Sequence, residues 1–136
     1  MRIVKDQFEI PALPQHAAFA RHRVKLSALE MGLTDKALED LEVAVGEAVT
    51  NAILYGSPTV ASRVKISCFH DLEDKAFTVE ITDTGSGFDP AKSPQTLDTE
   101  ALGGRGIGLM QALTDRLVLL RDRRGMTVSL TKYIHA

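Results

Sequence analysis

Three short stretches of this chain carry side chains whose types and spacing can do chemistry. They are Glu47-Ala48-Val49-Thr50-Asn51, Asp83-Thr84-Gly85-Ser86-Gly87 and Gly103-Gly104-Arg105-Gly106-Ile107-Gly108-Leu109. An ionised aspartate accepts hydrogen bonds and donates none, so Asp83 suits an amino group on a ligand. Adenine presents such an amine where guanine presents a carbonyl, and a buried aspartate there selects adenine. Gly85 and Gly87 let backbone and ligand approach where a Cβ would collide. Gly104, Gly106 and Gly108 leave backbone N–H groups free at a helix start, whose dipole adds a positive end for phosphates. Glycines inside a helix cost about 1 kcal/mol each, so a purely structural role explains three of them poorly. Glu47 and Asn51, one turn apart, form a pair of the kind used for metal and proton chemistry. In this order the three stretches predict a nucleotide site.

The elements that must position these residues can be read from periodicity. Ile3–Ile10 reads as a first strand, and Pro14–Met31 as a helix with Gly32 as its C-terminal cap. Thr34 or Asp35 caps a second helix, which runs to about Tyr55 and is stopped by Gly56 and Pro58. Val64, Ile66 and Cys68 alternate with polar residues, as do Phe77, Val79 and Ile81, which predicts a hairpin turning over Asp71–Lys75. Asp83 then falls just past the strand Phe77–Thr82. A third helix starts near Gly106 and ends by Asp115. Leu117–Arg121 and Met126–Tyr133 are the last strands. Along the second helix, Leu38, Leu41, Val45, Ala48 and Ala52 form an apolar stripe. Glu47 and Asn51 lie nearly opposite it, beside Val43 and Leu54, as on a helix lining a half-apolar cleft. This order predicts an α/β, two-layer α+β sandwich: a mixed, mostly antiparallel sheet with helices on one face.

Length and composition agree with one domain over residues 1–136. The chain is 44% hydrophobic and 25% charged, with a net charge of -2, which gives no electrostatic reason to expect direct nucleic-acid binding. No apolar run is long enough for a bilayer and no signal-like pattern opens the chain, so no membrane association and a cytoplasmic location are expected. Cys68 is the single cysteine; it sits in an alternating strand pattern and reads as a buried small side chain.

The three motifs resemble those of the GHKL (Bergerat-fold) ATPase superfamily, which includes gyrase, histidine kinases and mismatch-repair ATPases. Glu47 to Asn51 matches the N-box, Asp83–Gly87 the first glycine box and Gly104–Leu109 the second. Phe88-Asp89-Pro90 after the first box reads as in the anti-sigma factor serine/threonine kinase branch. The resemblance implies the cofactors ATP and Mg²⁺, with Asn51 as metal ligand through its amide oxygen and Glu47 as the base accepting the proton of the attacking hydroxyl. It implies nucleotide contacts from Asp83, Gly85, Gly87, Gly104, Gly106, Ile107, Gly108 and Leu109. Arg105 reads either as a γ-phosphate contact or as a solvated arginine. Thr127 stands in Gly125-Met126-Thr127, where relatives often place two threonines. Asp89–Leu102 corresponds to a short lid over the ATP.

Implied partners are a sigma factor, an anti-anti-sigma antagonist whose serine is the substrate, and a second copy of the chain in a homodimer. Phe8, Ile10, Phe19 and Leu26 are the expected dimer contact. His16 and His22 lack the following acidic residue of a phosphoacceptor box, which separates this chain from a histidine kinase. The alternatives are a nucleotide-gated binding module that performs no phosphotransfer and a histidine-kinase-like ATPase domain.

Overall fold

In the computed structural model, which describes residues 1–56, 61–83, 95–96, 106–122 and 125–134, the alternating segments form strands as their pattern dictates. The chain order is β1 (Arg2–Pro11), α1 (Ala17–Ala28), α2 (Asp35–Tyr55), β2 (Arg63–Asp71), β3 (Ala76–Asp83), β4 (Gln95–Thr96), α3 (Ile107–Leu113), β5 (Arg116–Asp122) and β6 (Gly125–Tyr133). Single 3-10 turns over Pro14–His16 and Leu29–Met31 extend α1 at both ends. The strands lie in the order β1-β2-β3-β6-β5-β4, and every described pairing is antiparallel. β4 was not foreseen; its two residues pair with Arg121 and Leu120 of β5. Apart from it, the lid segment 89–102 lies outside the described residues.

The pleat sorts side chains to two faces. Phe77, Val79 and Ile81 of β3, Val64, Ile66 and Cys68 of β2, and Val128 and Leu130 of β6 join the buried residues of the helices in one core. The opposite face carries hydrogen-bonded pairs across neighbouring strands. The Thr82 and Thr127 hydroxyls are 2.9 Å apart, those of Thr78 and Thr131 are 3.2 Å apart, and Thr78 donates to Asp71 at 2.7 Å. Arg2 bridges Asp71 and Glu80 there.

Each helix is punctuated by its sequence. The Thr34 hydroxyl accepts from the Ala37 N–H at 3.1 Å, satisfying one of the free donors at the start of α2. Gly32 adopts φ 80°, the left-handed conformation that ends the preceding turn. α2 buries Leu38, Leu41, Ala44, Val45, Ala48, Val49, Ala52 and Ile53, a wider stripe than five residues, because it packs against α1, α3 and the sheet together. Arg23 of α1 clasps Asp6 of β1 through two hydrogen bonds of 2.7 and 2.9 Å, which holds the Asp6 carboxyl below the usual carboxylate range.

The expected dimer contact is corrected in part. Phe8 and Ile10 are core residues, because β1 turns them toward α1. The Phe8 ring meets Phe19 edge-on at 6.2 Å. Phe19 and Leu26 keep 54% and 53% of their surface exposed. β1 also carries a register shift between Val4 and Asp6, which leaves Lys5 as an extra residue in the edge strand.

Burial pushes the Cys68 thiol from 9.0 up to about 12. Between those values the folded chain keeps a proton that the unfolded chain releases. This contribution to stability is whole below pH 9.0 and is lost as pH rises toward about 12. Urea unfolding of the parent and of Cys68→Ala at pH 8 and pH 10.5 should show a smaller alkaline loss of stability in the variant.

Candidate functional site

α2 carries one polar edge of the site, and two backbone approaches fix what lies beside it. At its C-terminal end, Gly56 meets Asp83, the last residue of β3 rather than the first beyond it. The Asp83 carboxylate is buried, with 6% of the residue exposed, and accepts from the Met126 N–H of β6 at 3.2 Å. A Cβ at Gly56 would overlap that carboxylate. About two and a half turns earlier, half-buried Glu47 lies against Gly106, the N-cap of α3, where a Cβ would overlap Oε2. Gly106 also adopts φ 70°, a conformation that costs any other L-residue roughly 1–2 kcal/mol. Half-buried Asn51 stands between these two ends of α2.

The spacing follows from helix geometry. Nine residues separate Glu47 from Gly56, which at the α-helical rise places them about 13–14 Å apart along α2. Such a line suits an extended nucleoside triphosphate, with the base at Asp83 and the phosphates near Gly106. At both close approaches a carboxylate occupies the space where a Cβ would stand, and the buried acceptor at one end matches the amine of adenine. The donor set therefore fits the group. Among the described residues, no three His, Cys, Asp or Glu side chains are grouped to hold a metal ion. A magnesium ion held by one amide oxygen, water and phosphate oxygens needs no such group. On its α1 side, Glu47 borders a shallow cavity of about 270 Å³ together with Ala17, Arg21, Val43, Gly46 and Thr50. Val43 and Leu54 are both exposed.

The remaining expected residues divide. Ile107 is buried in the core, so its side chain serves packing and only its backbone faces the turn. Leu109 is exposed, and a Cβ on Gly108 would meet nothing within 4 Å among the described residues. Thr127 is corrected: its hydroxyl pairs with Thr82 on the face opposite the helices. The pleat gives the place beside Asp83 to Met126. Gly85, Gly87, Gly104 and Arg105 lie outside the described residues. Gly56 was read only as a helix stop, although its adjacency to Asp83 is the closest approach in the site. No local pattern marks such a long-range contact.

A model of the histidine kinase-like ATPase domain matches residues 10–132. The chain belongs to that family. Within it, the relatives include the serine-protein kinase RsbW of Bacillus subtilis, 31% identical, with 95% of this chain and 85% of that protein covered. The RsbW of Bacillus licheniformis is 31% identical over 99% of this chain and 90% of its own length. That of Bacillus pumilus is 32% identical over 95% and 85%. These identities extend over nearly the whole chain and place it with the RsbW group of the family. A crystal structure of the RsbU and RsbW domains of a Mycobacterium tuberculosis protein superposes with a TM-score of 0.65 at 18% identity. It covers 95% of this chain and 32% of that one, and shows the same fold. As members of this family bind ATP through the fold seen here, the chain carries a nucleotide-binding ATPase domain. Among the described residues, no helix is long and apolar enough to cross a membrane.

The two glycines of α3 should respond in opposite ways to alanine. Gly106→Ala should destabilise the protein by roughly 1–2 kcal/mol through its left-handed backbone alone, and more through the Glu47 contact. Gly108→Ala should stabilise it by roughly 0.5–1 kcal/mol, as expected for an exposed helical glycine. Chemical denaturation without nucleotide measures both.

Proposed function

We propose that this chain is an ATP- and Mg²⁺-dependent protein serine kinase of the anti-sigma type. It holds a sigma factor and phosphorylates a serine on an anti-anti-sigma antagonist, which releases the sigma factor when unphosphorylated. The observation that carries the reading is the pairing of a buried Asp83 at one end of α2 with Glu47 against Gly106 at the other. The kinship with serine-protein kinases over nearly the full length supports the choice of reaction.

Bound ATP supplies the γ-phosphoryl group, and Mg²⁺ offsets the charge that develops as it is transferred. The residues of the chain do the rest. Asp83 accepts from the adenine amine and sets its carboxylate against the guanine carbonyl. Asn51 offers its amide oxygen to the ion. Gly106, Ile107 and Gly108 present backbone N–H groups to phosphate oxygens, with Leu109 at the rim and Gly85, Gly87 and Gly104 as further close-approach positions. Glu47 takes the proton of the attacking serine hydroxyl. Two copies associate as a homodimer in the cytoplasm through the exposed Phe19 and Leu26 of α1, and residues 1–136 fold as one domain.

Glu47→Gln keeps the shape of the side chain and removes its basicity, so ATP should still bind while phosphotransfer slows by roughly 10²–10⁴-fold. Asn51→Ala should weaken binding only when Mg²⁺ is present. Asp83→Asn sets a donor against the adenine amine and should lower ATP affinity by roughly tenfold or more. Calorimetry with ATP, and radiolabel transfer to antagonist proteins encoded beside this chain, read all three. Full transfer by Glu47→Gln would remove the base from the scheme. ATP binding without transfer by the parent would favour a nucleotide-gated binding module.

A further inference from the structure

Most glycines at helix ends are explained by a left-handed backbone, as Gly32 and Gly106 are here at φ 80° and 70°. Gly56 is not. Its φ of -105° and ψ of -5° are open to every residue, and its N–H bonds the Ala52 carbonyl at 3.2 Å as any residue's would. What forbids a side chain is Asp83. A Cβ on Gly56 would stand 2.8 Å from Oδ1, with Oδ2 and the carboxyl carbon nearer still.

The carboxyl carbon is the telling atom. Were only an oxygen too close, the carboxylate would escape by turning about its own axis. With the carbon itself inside contact distance, the whole side chain must leave its rotamer or the end of α2 must move. Neither is free to happen. Asp83 is held from the other side by the Met126 N–H at 3.2 Å, and its backbone is paired with Val64. α2 is anchored up to its last turn by buried Ala52 and Ile53. The carboxylate is therefore clamped between the bare Cα of Gly56 and the backbone of β6.

We propose that Gly56 is a positioning residue for base selection: by lacking a side chain it sets where the Asp83 carboxylate stands, and so sets the preference for adenine over hypoxanthine or guanine nucleotides. The proposal rests on the reading of Asp83 as the adenine acceptor. Hypoxanthine differs from adenine by a carbonyl in place of the amine and by a proton on the adjacent N1, so the ratio of ATP to ITP affinity reports recognition of that edge of the base and is insensitive to general weakening of the pocket.

The test uses the full chain as parent, Gly56→Ala, Asp83→Ala and the double variant, each titrated with ATP and ITP by calorimetry and unfolded in urea. The parent should prefer ATP by about tenfold or more, from one charge-assisted hydrogen bond. Gly56→Ala should lose most of that preference while its ITP affinity changes little. In the Asp83→Ala background the same glycine change should alter the ratio no further, because the truncated side chain leaves room for the methyl group. If Gly56→Ala unfolds, the double variant should regain the stability of Asp83→Ala. Loss of the ratio in Asp83→Ala but not in Gly56→Ala would overturn the role of Gly56 alone. An unchanged ratio in Asp83→Ala would overturn the adenine reading and this proposal with it. Equal weakening of both nucleotides by Gly56→Ala in either background, or a double variant that also fails to fold, would reduce Gly56 to a structural residue.

Discussion

The seating of α2 on the sheet is the constraint from which the rest of the site follows. One helix carries Glu47, Asn51 and, at its C-cap, the glycine that abuts Asp83, so their separations are set by helical pitch and not by loops. The seat is built from small and branched residues, Ala44, Ala48 and Ala52 alternating with Val45, Val49 and Ile53. Small side chains let α2 settle close enough for Gly56 to touch Asp83. Adding one residue between Glu47 and Gly56 would turn one end by about 100°, since 3.6 residues complete a turn. Either the apolar stripe or the polar edge would then face the wrong way.

The two faces of the sheet divide the labour. The helix side holds the core and the buried carboxylate, and what polarity it keeps is concentrated where strands end. The other side is a lattice of hydroxyls and charges whose partners are mostly each other, including Gln7 with Ser67 at 3.0 Å and Arg2 stacked over the Phe69 ring at 4.3 Å. Cross-strand pairs of this kind contribute roughly 0.2–1 kcal/mol each. They steady the sheet without needing a second layer.

Much of this was legible in the sequence because it is local. Alternation at Val64, Ile66, Cys68 and at Phe77, Val79, Ile81 gave the hairpin, the hydroxyl of Thr34 gave the helix start, and Gly32 gave its predecessor's end. The order of strands and helices followed from those signals. What escaped depended on contacts between distant segments. β4 exists only because β5 lies beside it. Phe8 and Ile10 share one face of β1, and nothing local says which face α1 will cover. Thr127 was assigned one residue out of phase with the pleat, since a motif read as text does not say which way a side chain points. Gly56 and Gly108 present the same letter for opposite reasons: one has no room for a methyl group and the other has, among the described residues, nothing within 4 Å of where it would stand.

The bulge at Lys5 bears on how this protein keeps company with itself. β1 is the outer strand of the sheet, and a straight outer strand offers an unpaired row of N–H and C=O groups to any other chain. The extra residue breaks the even repeat of that row and sets an ammonium group at the break, so a neighbouring strand cannot zip along it in register. Growth of the sheet from copy to copy, the first step toward fibres, is thereby discouraged at this border.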